Sequence, residues 1–420
     1  MRPIIFFNHH MSKTNPLALA LLGLLFTLGY PWCLKTTLNL TASVDKIDFA
    51  PDRSFIAVTS SSANRVYVYD TINYFKVFTY TPAAGTVKVA RFCRNSTILA
   101  VGRSDGQVVL LKGKPPFSNT VLDQFQPDHN VDIVIDIDFS YGGDKLLLCY
   151  SNDDDPEVID NWGNPSTRSL VREKTIADTV TCKWSKNDDM VIATVQSRVD
   201  VYAVPATGAI GAMKTRITAG TVFTDVAVKP TTTTPVKIVV SGGYNSGVNS
   251  SYFFNTAVGA TVTPVYHTFV NPPTATVRAA CYSGDGLFYA VAGDDKKVWI
   301  FDDATDSQVR VLTDSSNNIN DCEFTIDGTL LAAATAASAG QAFVYIYSKT
   351  CFFCSPGFFV DTFGACTPCD TSIVSCSLCY YSNYCVACSR GYYLASWTSC
   401  LSCHSALPGC STCINSTTCV

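Results

Sequence analysis

The most constraining feature of the sequence is a cysteine pattern that repeats every 34 residues near its carboxyl end. Thirteen of the 19 cysteines lie in the last 70 residues. Each unit reads C-x2-C-x11-C-x2-C-x6-C-x2-C-x5, and aromatic residues such as Phe358 and Tyr392 share the period, which indicates a structural unit. The two complete units contain Cys351, Cys354, Cys366, Cys369, Cys376, Cys379, Cys385, Cys388, Cys400, Cys403, Cys410 and Cys413.

Only three charged side chains lie in residues 351–420, and so short a segment cannot bury a core that offsets its chain entropy. Cross-links must therefore hold it. Twelve cysteines can form six disulfides, or three four-cysteine zinc sites built from successive pairs. The spacing does not fix the pairing, and the redox state of the compartment decides between sulfur bridges and zinc.

Cys419 lies 34 residues after Cys385 and opens a third unit that has no second cysteine in this chain. We expect Cys419 to be unpaired and available for a disulfide-linked dimer, and we expect the natural sequence to continue with more units or to a membrane anchor. The alternative is that Cys419 bonds back to Cys410 or Cys413, or to another chain.

Residues 1–33 have the layout of a secretory signal peptide, with Met1 or Met11 as the start. Their apolar core, Leu17 to Leu28, is shorter than the ~20 residues of a comfortable membrane span. The cleavage site falls between Gly29 and Lys35. A buried strand or an uncleaved anchor is the alternative, and the sequence shows no second span.

An exported chain favours disulfides over zinc in the tail. The spacing in residues 351–420 resembles the furin-like, cysteine-rich repeats of growth-factor-receptor ectodomains. That resemblance implies a mostly irregular, disulfide-held spacer and says little about a ligand.

Residues 34–350 consist of short alternating runs rich in Val, Ile, Tyr and Phe, closed by Gly, Asn, Asp or Pro, which predicts strands. An apolar triplet of strands returns seven times. The last large residue of the first strand, here called the anchor residue, recurs at intervals of 43, 47, 45, 44, 54 and 42 residues. Such periods predict an all-β, seven-bladed β-propeller. The anchor residues are Phe49, Phe92, Phe139, Trp184, Val228, Tyr282 and Phe324.

The seventh triplet lacks a fourth strand, whereas an extra strand, Leu34 to Leu40, precedes the first triplet. We predict that this segment pairs with Ala342 to Tyr347 and closes the ring by joining the two ends. Leu38 and Leu40 then share one face, because side chains two apart along a strand do so.

The sixth repeat, GDDKKVWIFDDATDSQVRVL, resembles the WD40 repeat at its Asp, Val-Trp and Asp positions, although no repeat has the family's Gly-His pair. The resemblance implies a rigid disc whose loops bind protein partners. The long fifth interval contains Thr231 to Pro235 and Tyr244 to Ser251, either a contact site or a tolerated loop.

The sequence offers no convergent catalytic cluster, so we expect a binding protein without cofactor or bound metal and not an enzyme. Each histidine beyond the signal stands alone, and the run Asp153 to Asp155 lacks the spacing of a calcium loop. Asp136 and Asp138 share a strand face, where structural bonding is favoured over metal binding. A net charge of −4 without a basic stripe argues against nucleic acid. The lone histidines are His129, His267 and His404.

Cysteines within the propeller are predicted to be small, buried apolar groups. Four sequons for N-glycosylation also occur. These cysteines are Cys93, Cys149, Cys182, Cys281 and Cys322, and the sequons begin at Asn39, Asn95, Asn249 and Asn415.

Together these features predict a secreted or cell-surface interaction scaffold, with a propeller that binds an unknown protein partner and a cysteine-rich spacer. Two alternatives stay open. One is a propeller enzyme, similar to lactonases or quinoprotein dehydrogenases, with an axial site. The other is an intracellular scaffold with a zinc-bound tail.

Overall fold

Alternating apolar strands form the amino-terminal part of the chain in a computed structural model. The model describes residues 32–126, 132–151, 156–171, 179–195, 198–204, 213–218, 222–233, 236–242, 251–256, 265–266, 275–349, 358–360, 366–381, 384–396 and 398–419. The chain divides into two units, residues 1–349 and 350–420.

Seven four-stranded antiparallel sheets occur among the described residues of the first unit. Blade 1 contains β2 (Lys46–Phe49), β3 (Phe55–Ser60), β4 (Arg65–Asp70) and β5 (Lys76–Tyr80). Blade 2 contains β6 (Val87–Phe92), β7 (Ile98–Arg103), β8 (Val108–Lys112) and β9 (Asp123–Phe125). Blade 3 contains β10 (Val134–Phe139), β11 (Lys145–Tyr150), β12 (Glu157–Asp160) and β13 (Ser169–Val171).

The other sheets follow the same strand order. Blade 4 contains β14 (Thr179–Trp184), β15 (Met190–Val195), β16 (Arg198–Ala203) and β17 (Met213–Thr218). Blade 5 contains β18 (Phe223–Val228), β19 (Val236–Gly242), β20 (Ser251–Thr256) and β21 (Val265–Tyr266). Blade 6 contains β22 (Val277–Tyr282), β23 (Phe288–Gly293), β24 (Val298–Asp302) and β25 (Gln308–Leu312). Blade 7 contains β26 (Ile319–Phe324), β27 (Leu330–Thr335), β28 (Ala342–Ser348) and β1 (Cys33–Leu40).

The first strands of consecutive blades lie side by side around an axis, and β26 contacts β2. Seven buried apolar clusters fill the spaces between neighbouring blades. One joins Ile47 and Phe49 of blade 1 to Ala332 and Ile346 of blade 7. The predicted all-β propeller is therefore confirmed, and burial between blades holds the ring together.

The amino-terminal strand closes the ring as predicted. β1 pairs with β28 in antiparallel register, with Leu34 opposite Tyr347 and Leu40 opposite Ala342. Leu38 and Leu40 are both buried in the cluster between blades 7 and 1. Trp32 is also buried, edge-on to Phe324 at 5.5 Å between ring centroids. The propeller thus includes Trp32 and Cys33, which the sequence assigns to the signal segment.

Tight turns join the first and second strands, and glycine supplies the left-handed backbone in some of them. Gly328 has φ +64° and donates its N–H to the Thr325 carbonyl oxygen at 2.8 Å. A Cβ on Gly328 would lie 2.8 Å from the Asp285 carboxylate of the neighbouring blade. Glycine is therefore required both for conformation and for close approach.

The second unit repeats its elements at the 34-residue period. Helix α1 (Cys369–Ser372) recurs as α2 (Cys403–Ala406), and cysteines form most of the buried clusters. Its two-stranded sheets are β29 (Phe358–Val360) with β30 (Cys366–Pro368), β31 (Cys376–Tyr381) with β32 (Tyr384–Cys388), β33 (Tyr392–Ser396) with β34 (Ser399–Ser402), and β35 (Cys413–Asn415) with β36 (Thr418–Cys419).

Candidate functional site

Charged side chains from the first strands meet along the axis of the propeller. Arg91 lies 3.1 Å from Asp48, 3.5 Å from Glu323 and 3.7 Å from Asp136, measured between charged nitrogen and oxygen atoms. Lys183 lies 2.9 Å from the same Asp136 carboxylate. These ion pairs join blades 1, 2, 3, 4 and 7, so charge lines the axis where the strands converge.

Carboxylates on the first strands also bond to the backbone of the next blade. Asp48 accepts the Phe92 N–H at 2.6 Å, and Asp138 accepts the Trp184 N–H at 2.8 Å. At a second level, Asp225 accepts the Ala280 N–H at 3.1 Å and Asp321 accepts the Ile47 N–H at 2.8 Å. Asp138 therefore has the structural role favoured by the sequence, as a link between blades.

The two levels have a common geometric origin. The upper acids stand one residue before the anchor residue, and the lower acids stand three before it. In β10, β18 and β26 the pairing register shifts just before the lower position, at Asp136, Asp225 and Asp321 respectively. A β-bulge bends a strand and re-aims its side chains. The bulge is thus placed where each of these acids begins its contact with the next blade.

Burial and neighbouring charge divide the protonation behaviour of the axial acids. Burial raises the pKa of Glu323 to about 8 although Arg91 opposes the shift, and burial raises the pKa of Asp48 to about 6 against the same guanidinium. Burial also acts to raise the pKa of Asp136, but Lys183, Arg91 and Lys46 outweigh it and hold that pKa well below its usual range. Asp136 is the permanently ionised centre of the network.

A cavity of about 250 Å³, here called the axial cavity, lies above this network. Asp48, Arg91, Lys183 and Glu323 line it from the first strands. Its rim is formed by the position two residues after each anchor residue, one from every blade. These rim residues are Pro51, Arg94, Tyr141, Lys186, Pro230, Gly284 and Ile326.

The rim has a cationic arc and an apolar arc. Arg94 and Lys186 stand in blades 2 and 4, and the Arg94 guanidinium lies 4.0 Å from the ring centre of Tyr141 between them. The remaining arc, blades 5 to 7 and blade 1, carries no charge and includes Ile326, which is half exposed. This arrangement can receive a ligand that is acidic on one side and apolar on the other.

Within the described residues, the group of side chains able to hold a metal ion is Cys376, Cys385 and Cys400, in the second unit. In the structure these sulfurs belong to the disulfides Cys376–Cys385 and Cys388–Cys400. A bonded sulfur is not the thiolate that zinc requires.

The prediction for most of the propeller cysteines was wrong. Cys149 bonds to Cys182 and Cys281 bonds to Cys322, and both bridges join neighbouring blades. Their Cα atoms are 6.2 and 5.9 Å apart, within the usual range. Sequence spacing hides these pairs because the partners are 33 and 41 residues apart and meet only when the ring forms. Cys93 is free and buried, as predicted.

Disulfides in the tail are confirmed, but the prediction that Cys419 is unpaired was wrong. Cys419 bonds to Cys410, and the same link occurs 34 residues earlier as Cys376–Cys385. Each bridge runs from the fifth cysteine of one unit to the first of the next, so Cys419 completes the second unit. The bond occupies the thiol proposed for dimerisation. Cys388–Cys400 and Cys403–Cys413 lie within the second unit.

Other predicted residues fall in several places. Asn39, Asn95 and Asn415 are exposed, which suits glycosylation, whereas Asn249 lies outside the described residues. His404 accepts the Gly409 N–H at 3.1 Å through Nδ1, a local structural bond. The predicted sites His129, His267, Asp153 to Asp155, Cys351 and Cys354 lie outside the described residues. Cys369 is disulfide-bonded, and the side chains of Cys366 and Cys379 are not among those described.

The predicted insertion in blade 5 is described only in part. Asn187 in blade 4 donates its side-chain N–H to the Thr232 carbonyl oxygen at 3.0 Å, which ties the start of the insertion to a neighbouring turn. Residues 234–235 and 243–250 lie outside the described part. Whether this loop contacts a partner stays a prediction.

These features define a β-propeller followed by a disulfide-rich repeat unit. The family model described as WD domain, G-beta repeat, matches residues 264–302. The match covers most of blade 6, where the Trp299 indole N–H donates to Asp295 at 2.8 Å. No curated protein matches the chain. The WD40 resemblance is thus supported for this repeat, and the furin-like resemblance of the tail stays a prediction. Among the described residues, no helix is long and apolar enough to cross a membrane.

Proposed function

We propose that this protein is a secreted or cell-surface scaffold that binds a protein partner at the rim of the axial cavity. The carrying observation is the closed ring of blades with a two-sided rim around that cavity. WD40-type propellers are typical protein-interaction folds, and loops on a rigid scaffold commonly carry binding sites. The cysteine-rich repeats act as a spacer.

The disulfides support export. Two of them join blades inside the propeller, where they would not persist in a reducing cytosol. Burial of Trp32 supports cleavage of the signal peptide before that residue, in the earlier part of the window from Gly29 to Lys35.

The axial groups support binding over turnover. Asp48, Asp138 and Asp321 each accept a backbone N–H from another blade, which commits them to holding the ring. An enzymatic site needs groups that are free to exchange protons or bind a metal. We therefore propose that the protein is not an enzyme.

Expression of the full chain in a eukaryotic cell tests export. We expect glycosylated protein in the medium, an amino terminus at or before Trp32, and a mass that rises on reduction and alkylation by an amount matching bridged cysteines. Cytosolic protein with free tail thiols and bound zinc would instead support the intracellular scaffold.

Binding of the purified full chain to intact cells of the source organism tests the interaction surface. We expect saturable binding that Ile326→Arg abolishes, because Ile326 is half exposed on the rim. Lys112→Glu is the control, since Lys112 is exposed and outside the cavity lining. Binding that tolerates Ile326→Arg as well as the control would place the surface elsewhere.

A further inference from the structure

We infer that the axial cavity recognises a carboxylate, and that the partner inserts an acidic side chain there beside an apolar one. This inference rests on the proposed function and specifies the chemistry of the partner segment. It follows from unpartnered donors, from the distribution of charge and from the size of the cavity.

Two buried donors that line the cavity have no hydrogen-bond partner. They are the Arg91 Nε–H and the Trp184 Nε1–H. The Arg91 side chain is 9 % exposed and Trp184 is 2 % exposed. Buried polar groups normally have partners, because leaving a donor unsatisfied costs free energy. Both groups donate and neither accepts, so the missing partner is an acceptor.

The cations of the cavity are less committed than its acids. Asp48 and Asp138 accept backbone N–H groups from the next blade. Lys186, on the rim, forms no ion pair with any residue of the described part. Donors and an unpaired ammonium on one side favour an anionic acceptor, for which charge-assisted hydrogen bonds are strong.

The apolar arc sets the second requirement. Pro230, Gly284, Ile326 and Pro51 follow one another around the rim without a charge. Leu287, in the same turn as Gly284, is also half exposed. A segment that places an apolar side chain next to its carboxylate satisfies both arcs at once.

The cavity size favours an inserted side chain over a free cofactor. Its volume of about 250 Å³ lies below the ~300–1,000 Å³ of usual small-molecule sites. A partner segment lying across the rim needs only the inserted side chains to enter.

Fluorescence anisotropy of the full chain with three synthetic peptides tests this inference. The peptides alternate Asp with Leu, Asn with Leu, and Asp with Ser. We expect the Asp-Leu peptide to bind and each of the others to bind on the order of 10-fold more weakly, since each loses one of the two contacts.

Variants connect the binding to the cavity. We expect Lys186→Gln and Trp184→Phe each to weaken Asp-Leu binding on the order of 10-fold by removing one donor. Lys112→Gln is the matched control and should leave binding unchanged. Arg91 is kept because its ion pairs hold the ring.

Each contrary outcome overturns a defined part. Equal binding of the Asn-Leu peptide, unchanged binding by both cavity variants, or no peptide binding would reject carboxylate recognition. Displacement by inorganic phosphate without preference for Leu would assign the cavity to a small anion. If Ile326→Arg still abolishes cell binding in those cases, the proposed function stands and only this inference fails.

Discussion

At the residue scale, the axis shows how one carboxylate can hold several blades. Asp136 is fully buried and accepts the Thr181 hydroxyl proton in addition to its ion pairs with Lys183 and Arg91. Removing one partner of a buried ion pair leaves uncompensated charge, which is more costly than the pair is stabilising.

We expect Asp136→Asn to lower the free energy of unfolding by roughly 3–5 kcal/mol, because Lys183 and Arg91 lose their shared counter-charge. Chemical denaturation at neutral pH measures this. Asp144→Asn is the control, since Asp144 is 57 % exposed and pairs with Lys145 at the surface. Its loss should stay below about 1 kcal/mol. Equal losses for both variants would contradict a central role for Asp136.

Glu323 predicts a distinct pH dependence. Its pKa in the folded protein is about 8, raised by burial against the attraction of Arg91, whereas the ordinary value is 4.5. Between these values the unfolded chain loses the proton first, so this group makes the fold less stable as pH rises. Asp48 and Asp321 add repulsion when Glu323 ionises, and Lys183 opposes it.

We expect Glu323→Gln to remove that dependence. The melting temperature of the variant, relative to the wild type, should rise steadily from about pH 5 to about pH 8. The comparison isolates Glu323 because Asp48 and Asp136 titrate in both proteins. A constant difference across this range would mean that Glu323 is ionised throughout.

Sequence predicted only part of this site. Asp136 and Asp138 are visible as alternating acids in one strand, but Arg91 and Lys183 stand singly in other repeats and reveal nothing alone. The missing signal is positional. Aligning the repeats on their anchor residues places Asp48, Arg91, Lys183 and Glu323 at the same offset.

At the element scale, ring closure depends on one short strand. β1 is the edge strand of blade 7, and its inward face carries Leu38 and Leu40. The strand could be predicted because the triplets count one missing strand at the end and one extra strand at the start. The inter-blade bulges and disulfides could not, since they depend on contacts between repeats.

We expect Leu38→Asp to unfold the propeller cooperatively, because it buries a charge between blades 7 and 1. Leu34→Asp is the matched control at a site 38 % exposed on the same strand, and it should cost far less. Thermal unfolding followed by near-ultraviolet circular dichroism compares them. Loss of signal from blade 7 alone, with the other blades intact, would show that closure is not required.

At the scale of the whole molecule, disulfides serve two different designs. In the propeller they reinforce contacts that burial already makes, as Cys281–Cys322 does between blades 6 and 7. In the tail they replace a core, since cysteines themselves form much of the buried clusters. Cys376–Cys385 and Cys410–Cys419 join successive units, so the same bond that completes one unit fixes the next.

This pairing predicts which thiols react. We expect a thiol reagent, applied to denatured but unreduced protein, to label Cys93 and none of the bridged cysteines described in the structure. Cys419→Ser should add a label at Cys410, because that residue loses its partner from the following unit. Peptide mass mapping measures both. If the wild type is labelled at Cys419, or runs as a dimer that reduction dissolves, the link between Cys410 and Cys419 is wrong and Cys419 is the intermolecular thiol that its position in the repeat first indicates.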